Sequence, residues 1–111
     1  MLKISVKTSN DWFAGYDGEV QITLFNTVQI QSTLTLSNSL THSDPFERGN
    51  IDVFMVDGAD FFSTITSVLI HKEQSFVDDW WKIDWVQIYD DSRKTTYVFD
   101  FHGTAVSEWA S

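Results

Sequence analysis

The stretch Val20-Gln21-Ile22-Thr23-Leu24-Phe25 carries an apolar side chain at every second position from its first residue. This period of two predicts a β-strand that buries one face. Ile4 and Val6 repeat the pattern near the start of the chain. Between the two runs lies Trp12-Phe13-Ala14-Gly15-Tyr16-Asp17, in which large aromatics stand beside a glycine and an acid. We expect this segment to be the tip of a loop that joins the two strands.

The same period dominates the rest of the chain, and no segment shows the period of an amphipathic helix. Aromatic and β-branched residues fill the runs, whereas the glycines and the single proline fall between them or at their edges. Short strands at this spacing in a chain of 111 residues favour a two-sheet antiparallel sandwich. The predicted strands cover residues 2–8, 19–26, 28–36, 51–57, 63–72, 81–90, 95–101 and 104–109.

Length and composition predict a single domain over residues 1–111, with room for one core and no second module. No stretch approaches the roughly 20 apolar residues that a membrane-spanning helix needs. The absence of cysteine excludes disulfides, thiolate catalysis and sulfur-based zinc sites. The first residues alternate as in a strand and do not resemble a signal peptide, which predicts a cytoplasmic protein or an excised domain. The sequence leaves secretion open.

The charge of the chain is strongly negative. Seven Lys and Arg against sixteen Asp and Glu give a net charge of −9. Such a surface repels nucleic acid and anionic headgroups, so nucleic acid is not an expected partner. Clustered carboxylates can instead be neutralised by a bound divalent cation. The alternative is that the acids are solvated and serve only solubility.

The sequence contains no recognisable catalytic motif. His42, His71 and His102 are scattered, and neither a metalloprotease helix, a nucleophile elbow nor a phosphate-binding glycine loop is present. Ser43 follows His42, but adjacency in sequence does not make a catalytic triad. We therefore expect a protein that is not an enzyme.

The alternation also predicts core positions, which are Val20, Ile22, Leu24, Trp81, Ile83, Val86 and Ile88. Trp85 faces away from Val86, and it is either a covered sandwich residue or part of a partner surface with Tyr89 and Tyr97. Arg48, beside Glu47 and near Asp52, is expected to form a buried ion pair.

Three blocks of the chain carry a family resemblance. The first is Trp12 to Asp17 followed by Val20 to Phe25, the second is Phe46-Glu47-Arg48-Gly49-Asn50-Ile51-Asp52-Val53-Phe54, and the third is Trp81-Lys82-Ile83-Asp84-Trp85-Val86-Gln87-Ile88. In this order and spacing they resemble the signature blocks of PLAT domains, the modules of polycystin, lipoxygenases and alpha-toxin. The first block is most similar to the amino-terminal domain of animal lipoxygenases. The resemblance implies an all-β, eight-stranded antiparallel β-sandwich of two four-stranded sheets.

The resemblance also implies a function, which is docking onto membranes or partner proteins, with calcium in several members and without catalysis. Carried over position by position, it predicts the calcium ligands Phe13, Gly15, Asp17, Asp44, Glu47, Asp78 and Asp79. Carboxylates and carbonyls from adjacent loops suit the six to eight oxygens that calcium takes. Gly18 stands where many members have a second acid, and Tyr16 replaces the usual threonine, so one ion site is expected to be weakened or lost.

Loop-tip aromatics insert into membranes in the lipoxygenase domains, and the resemblance assigns this role to Trp12, Phe13, Phe76 and Trp80. Bound calcium would cancel the loop carboxylates and allow peripheral membrane association. Two alternatives remain open at this point. One is a protein-interaction module that uses a sheet face around Trp85, attached to or recruiting a partner. The other is a carbohydrate-binding sandwich in which Trp12 and Trp80 stack on sugar rings.

Overall fold

A computed structural model describes residues 1–10, 19–26, 31–37, 39–43, 45–57, 64–72, 81–106 and 109–110. No helix occurs among these residues, and so none is long and apolar enough to cross a membrane. The strands are β1 (Leu2–Thr8), β2 (Val20–Phe25), β3 (Gln31–Thr35), β4 (Ile51–Val56), β5 (Ser67–Lys72), β6 (Trp81–Asp90), β7 (Thr95–Val106) and β8 (Trp109–Ala110).

The strands form two sheets of four, with the order β4-β1-β6-β7 in the first sheet and β3-β2-β5-β8 in the second. All the recorded strand pairs are antiparallel. The chain changes sheet after β1, β3, β4, β5 and β7, so both sheets contribute to one core. The predicted eight-stranded sandwich is confirmed.

The core lies between the sheets and is lined by the inward positions of every long strand. All seven predicted core residues are buried, and five of the ten residues of β6 belong to this set or share its inward direction. The alternation of inward and outward side chains along β6 is interrupted once, because the pairing register shifts between Ile83 and Trp85. The buried apolar residues are Leu2, Ile4, Val6, Val20, Ile22, Leu24, Leu36, Phe46, Phe54, Ile65, Val68, Ile70, Trp81, Ile83, Val86, Ile88 and Phe101.

The last strands differ from the prediction. The sequence predicted a break at Gly103 between strands at 95–101 and 104–109, but β7 continues to Val106. His102 and Gly103 have positive φ values of 54° and 69°, and the His102 N–H donates to the Asp100 carboxylate at 2.8 Å. The extra residues are absorbed as a bulge opposite the register shift of β6. Glycine therefore marks a bulge here and not a turn.

Trp109 lies in the two-residue strand β8, where it pairs with His71 of β5. Strand β8 is thus the last strand in the order of the second sheet. Most other strands end within a few residues of their predicted bounds. Residues 28–30 and 63, which the prediction placed in strands, lie outside the described residues, and Thr64 to Thr66 precede β5 without joining it.

The turn between β6 and β7 is held by its own carboxylates. Asp90 is buried and accepts hydrogen bonds from the Ser92 N–H at 3.0 Å and the Ser92 hydroxyl at 2.7 Å. Asp91 pairs with Lys94 at 3.0 Å. The hydrogen bond from Lys94, with its charge, lowers the pKa of Asp91, and the same bond and charge raise the pKa of Lys94. Both side chains are exposed, so this pair contributes little to stability.

Candidate functional site

Most residues of the predicted site lie outside the part of the chain that the structure describes. Among the predicted calcium ligands this applies to Phe13, Gly15, Asp17, Asp44, Asp78 and Asp79, and it applies to all four predicted membrane-inserting residues, Trp12, Phe13, Phe76 and Trp80. Glu47 is described and is half-buried. The described structure nevertheless shows where the segments 11–18 and 73–80 begin and end.

Three backbone segments of the first sheet meet at one end of the sandwich. The Ser9 N–H donates to the Lys82 carbonyl at 2.9 Å, and the Gly49 N–H donates to the Ser9 carbonyl at 3.0 Å. The Lys7 ammonium donates to the Gly49 carbonyl at 3.0 Å. The end of β1, the turn before β4 and the start of β6 are therefore joined directly. The end of β1 leads into segment 11–18, and the start of β6 directly follows segment 73–80.

The second sheet supplies the remaining flanks at the same end. Val20, where segment 11–18 returns, pairs with Lys72, where segment 73–80 departs. Val106 pairs with Trp81, and only two residues separate it from Trp109, which pairs with His71. The ends of β5 and β6 that flank segment 73–80 are thus close in space. We call this end the loop pole, defined by Thr8–Asn10, Glu19–Val20, Pro45–Gly49, Lys72 and Trp81.

The turn that carries Glu47 is built around Phe46. Phe46 is buried and has a positive φ of 68°, which is uncommon for a bulky residue. Its N–H donates to the buried Asp52 carboxylate at 2.8 Å. Its ring lies 4.9 Å from the ring of Trp81 and 5.6 Å from that of Phe54. The carboxylate and the ring contacts together hold a strained backbone that sets the position of Glu47.

Gly49 closes the same turn, and its position requires glycine. Its φ is +76°, and a Cβ atom there would lie 2.9 Å from the Asn10 side-chain oxygen. A larger residue would be strained and would also displace the residue that precedes segment 11–18. The close approach of these two chain segments therefore depends on the missing side chain.

The prediction for Arg48 is wrong, because this residue is exposed and so is not part of a buried ion pair. The Asp52 carboxylate instead accepts hydrogen bonds from Ser39 at 3.0 Å and from the Phe46 N–H, and it lies 3.3 Å from His42 Nδ1. Asp52 is therefore the structural acid of the second block. The sequence contained a signal for this role, because Asp52 lies two residues before Phe54 and so shares the inward face of β4 with it.

The proposed partner surface also needs a correction. Trp85 pairs with Asp100 and Tyr89 with Thr96, so both lie on the outer face of the first sheet. Tyr97 pairs with the buried Ile88 and packs against the core. Directly paired residues share a face, so Tyr97 lies on the opposite face from Trp85 and Tyr89.

The family model for the PLAT/LH2 domain matches residues 2–108. This chain belongs to the PLAT/LH2 domain family. Relatives include lipoxygenase homology domain-containing protein 1 from Mus musculus and from Homo sapiens, which are 34% and 33% identical over 85 residues. The match covers 77% of this chain but only 4% of either relative, so the chain spans a small part of their length.

Solved structures share the fold of this PLAT domain. Coral 8R-lipoxygenase superposes with a TM-score of 0.82 at 22% identity, over 98% of this chain and 16% of its own. Alpha-toxin from Clostridium perfringens superposes with a TM-score of 0.63 at 16% identity, over 99% of this chain and 29% of its own. The coral enzyme is described as activated by calcium through a C2-like domain. At these identities the likeness establishes the fold.

Lys72 is a feature of the PLAT domain that sequence reasoning missed. Val68, Ile70 and Lys72 occupy successive inward positions of β5, and Lys72 is only 1% exposed. Its side chain therefore brings an amine group to the loop pole. The flanking segments are acidic, with Asp11 and Asp17 in one and Glu73, Asp78 and Asp79 in the other.

The oxygen atoms of the predicted ligands are of the kind that bind a hard cation. Glu47 and the acids of the two flanking segments offer carboxylate oxygens, which calcium prefers. Within the described ranges, no group of three or more His, Asp or Glu side chains is placed to hold a metal ion. Glu47 lies within these ranges, and the other predicted ligands lie outside them.

Replacing Asp52 with alanine is expected to lower the free energy of unfolding by about 3 kcal/mol, because the Phe46 N–H loses a buried charged acceptor. Urea denaturation followed by tryptophan fluorescence measures this change. Asp52→Asn keeps an acceptor oxygen and should fall between the alanine variant and the wild type. Asp91→Ala removes an exposed carboxylate and should leave the transition unchanged. Equal stability of Asp52→Ala and wild type would contradict the anchoring role.

Proposed function

We propose that this PLAT domain is a single, non-catalytic module that docks reversibly on membranes through the loop pole when calcium binds there. The observation that carries the proposal is the meeting of the strand ends that flank segments 11–18 and 73–80 beside the Glu47 turn. Both segments leave and re-enter the sandwich at this pole. They contain the acids and the aromatics that such docking needs.

Calcium would be held by oxygens of this chain. The candidates are the carbonyls of Phe13 and Gly15 and the carboxylates of Asp17, Asp44, Glu47, Asp78 and Asp79. The ion would supply positive charge that cancels the repulsion between these carboxylates. The repulsion is considerable because the chain carries a net charge of −9. Calcium activation of the coral lipoxygenase through its C2-like domain supports this assignment.

Membrane contact would be made by Trp12, Phe13, Phe76 and Trp80. Tryptophan suits the headgroup boundary because its ring is amphipathic, whereas phenylalanine gains by deeper burial. Burying one large aromatic contributes about 2 kcal/mol, so Trp12, Phe13 and Phe76 together contribute on the order of 6 kcal/mol. This magnitude suits reversible recruitment of an attached or partner protein better than permanent anchoring.

One observation favours a second candidate, a protein-interaction module that uses the outer face of the first sheet. Trp85 and Tyr89 lie there with Met55, which is 43% exposed, and Val98, which is 63% exposed. An exposed apolar face of this kind is typical of a contact with another protein. In this alternative the loop pole has only a structural role.

Vesicle co-sedimentation tests the proposal. The purified chain should pellet with phosphatidylcholine vesicles in millimolar calcium and stay in the supernatant with a chelator. Calcium should also raise the melting temperature, because a ligand at about 100 times its Kd stabilises the folded state by about 2.7 kcal/mol. Pelleting that ignores the chelator would remove the calcium mechanism, and no pelleting at all would favour the interaction module.

A matched pair of variants separates the loop pole from general charge effects. Asp17→Asn with Asp79→Asn should abolish both calcium responses. Asp57→Asn with Asp91→Asn removes the same charge from the opposite end, where Val56 and Asp90 both pair with Leu2, and should retain both responses. Equal losses in the two double variants would show that net charge, and not a site, governs binding.

A further inference from the structure

Strand β3 is the outermost strand of the second sheet. It pairs with β2 on one side, and in the described part of the chain no strand pairs with its other side. Directly after β3, the Leu36 N–H donates to the Val20 carbonyl at 2.9 Å. Because the backbone groups of an antiparallel strand point to alternate sides, those of Gln31, Thr33 and Thr35 point away from β2. All three residues are exposed, so these backbone groups form an open edge.

The outermost strands β4, β7 and β8 are protected against pairing with another chain. The free side of β4 is covered, because the Leu40 N–H donates to the Val53 carbonyl at 2.7 Å and the Thr41 hydroxyl donates to the Ile51 carbonyl at 2.9 Å. Strand β7 carries the exposed Asp100 and the bulge described above, and β8 has only two residues. Covering segments, charges, bulges and short length are the usual protection of edge strands. Within the described ranges, β3 has no charge, bulge or covering segment.

Strand β3 also lies in a charge-free part of the chain. None of the seven Lys and Arg or the sixteen Asp and Glu falls between Glu19 and Asp44. The outer face of the neighbouring strand β2 consists of Gln21, Thr23 and Phe25. In a chain with a net charge of −9, a second copy can approach here without placing like charges in contact. A partner recognised by opposite charge would need charged residues in this segment, which contains none.

We propose that β3 pairs with β3 of a second copy of this chain, as antiparallel strands related by a two-fold axis at Thr33. In this register Thr33 lies opposite Thr33 of the second copy, and Gln31 lies opposite Thr35. The outward backbone groups of these residues then meet as hydrogen-bonded pairs, in which the Cα atoms are about 5.5 Å apart. The second sheets of the two copies become one continuous sheet.

The side chains of β3 are complementary to themselves in this register. Directly opposite residues share a face, and the hydroxyl and amide groups of Thr33 and Gln31 both donate and accept hydrogen bonds. The Thr33 hydroxyl already lies 2.9 Å from that of Thr23, on the outer face. On the inner face, Ser32 lies opposite the half-buried Leu34 of the second copy. A strand of five residues is much shorter than the roughly 20 residues a side of a stable interface, so the association is reversible.

Sedimentation equilibrium of the whole chain, in a chelator, tests the proposal. The mass should rise from 12.8 kDa toward twice that value as the protein concentration approaches the millimolar range. Raising the salt concentration from about 0.05 M to about 0.5 M should strengthen the association, because the contact is uncharged and only the repulsion between the two copies is screened. A mass that stays at 12.8 kDa, or an association that salt weakens, would overturn the proposal.

Two substitutions at the two-fold axis test the register. Thr33→Lys and Thr33→Glu each place like charges directly opposite one another, so each should associate several-fold more weakly than the wild type. An equal mixture of the two variants pairs opposite charges across the axis and should associate more tightly than either alone. Thr96→Lys and Thr96→Glu make the same changes of net charge on the first sheet, and their mixture should show no such gain.

Thr33 is exposed, so both of its variants should fold, which thermal unfolding checks. If either does not fold, the concentration dependence of the wild-type mass still decides the question. Variants of Thr33 that associate as the wild type does would show that β3 is not the contact. A mixture that associates no more tightly than its components would show that Thr33 does not lie on the axis.

Discussion

Trp81→Ala is expected to lower the free energy of unfolding by about 4 kcal/mol, as truncation of a fully buried aromatic does. Trp81 contacts the Phe46 ring, and its Nε1 donates to the Thr8 hydroxyl at 3.1 Å. The substitution would leave a cavity at the point where β1, β6 and the Glu47 turn meet. Chemical denaturation monitored by circular dichroism measures the loss.

Trp85→Ala is the matched control, since it removes the same side chain from the outer face of the same strand. Trp85 is only half-buried, so its loss should cost clearly less than that of Trp81. Trp81→Phe keeps a ring but loses the hydrogen bond to Thr8, and it should be intermediate. If the two alanine variants unfold at the same denaturant concentration, Trp81 is not the centre of the core at this pole.

The double variant Trp12→Ala with Phe76→Ala is expected to reduce partitioning onto phosphatidylcholine vesicles in calcium by about a thousandfold. Two large aromatics contribute about 4 kcal/mol on burial, and each 1.4 kcal/mol corresponds to a factor of ten. The proposal that the loop pole enters the membrane is the basis of this value. Vesicle titration followed by sedimentation measures the partition coefficient.

Trp85→Ala with Tyr89→Ala provides the control, because it removes two aromatics from the outer face of the first sheet. It should leave partitioning unchanged if the loop pole is the docking surface. The reverse result, in which only the sheet-face variant loses binding, would favour the interaction module. Thermal unfolding of both variants should be compared first, so that a loss of folded protein is not mistaken for a loss of binding.

Much of the fold could be predicted from alternation alone. Nearly all the inward positions of β1, β2 and β6 are apolar. Because this apolar face must be buried, the pattern determines which side of each strand turns toward the core. The family blocks supplied the division of these strands into two sheets of four. Glycine was less informative, because Gly103 with its positive φ serves equally in a turn or in a bulge.

Contacts between residues distant in sequence were harder to predict. Tyr97 looked equivalent to Tyr89, but the pairing of Ile88 with Tyr97 turns it toward the core. Arg48 looked like the natural partner of Asp52, but the Phe46 N–H, Ser39 and His42 surround that carboxylate. In both cases the answer depends on which strand or turn lies opposite, and local pattern does not contain that information.

The amino-acid sequence by itself determined that this protein is an acidic, cysteine-free β-sandwich, because side-chain alternation and composition act residue by residue, and its three signature blocks carried the resemblance to PLAT domains. Only the tertiary structure decided that the flanks of the acidic and aromatic segments meet at one pole, and that Tyr97 turns toward the core while Trp85 and Tyr89 face outward. Those features arise from pairing between strands far apart in the chain. Their register is set when both sheets close over a shared core.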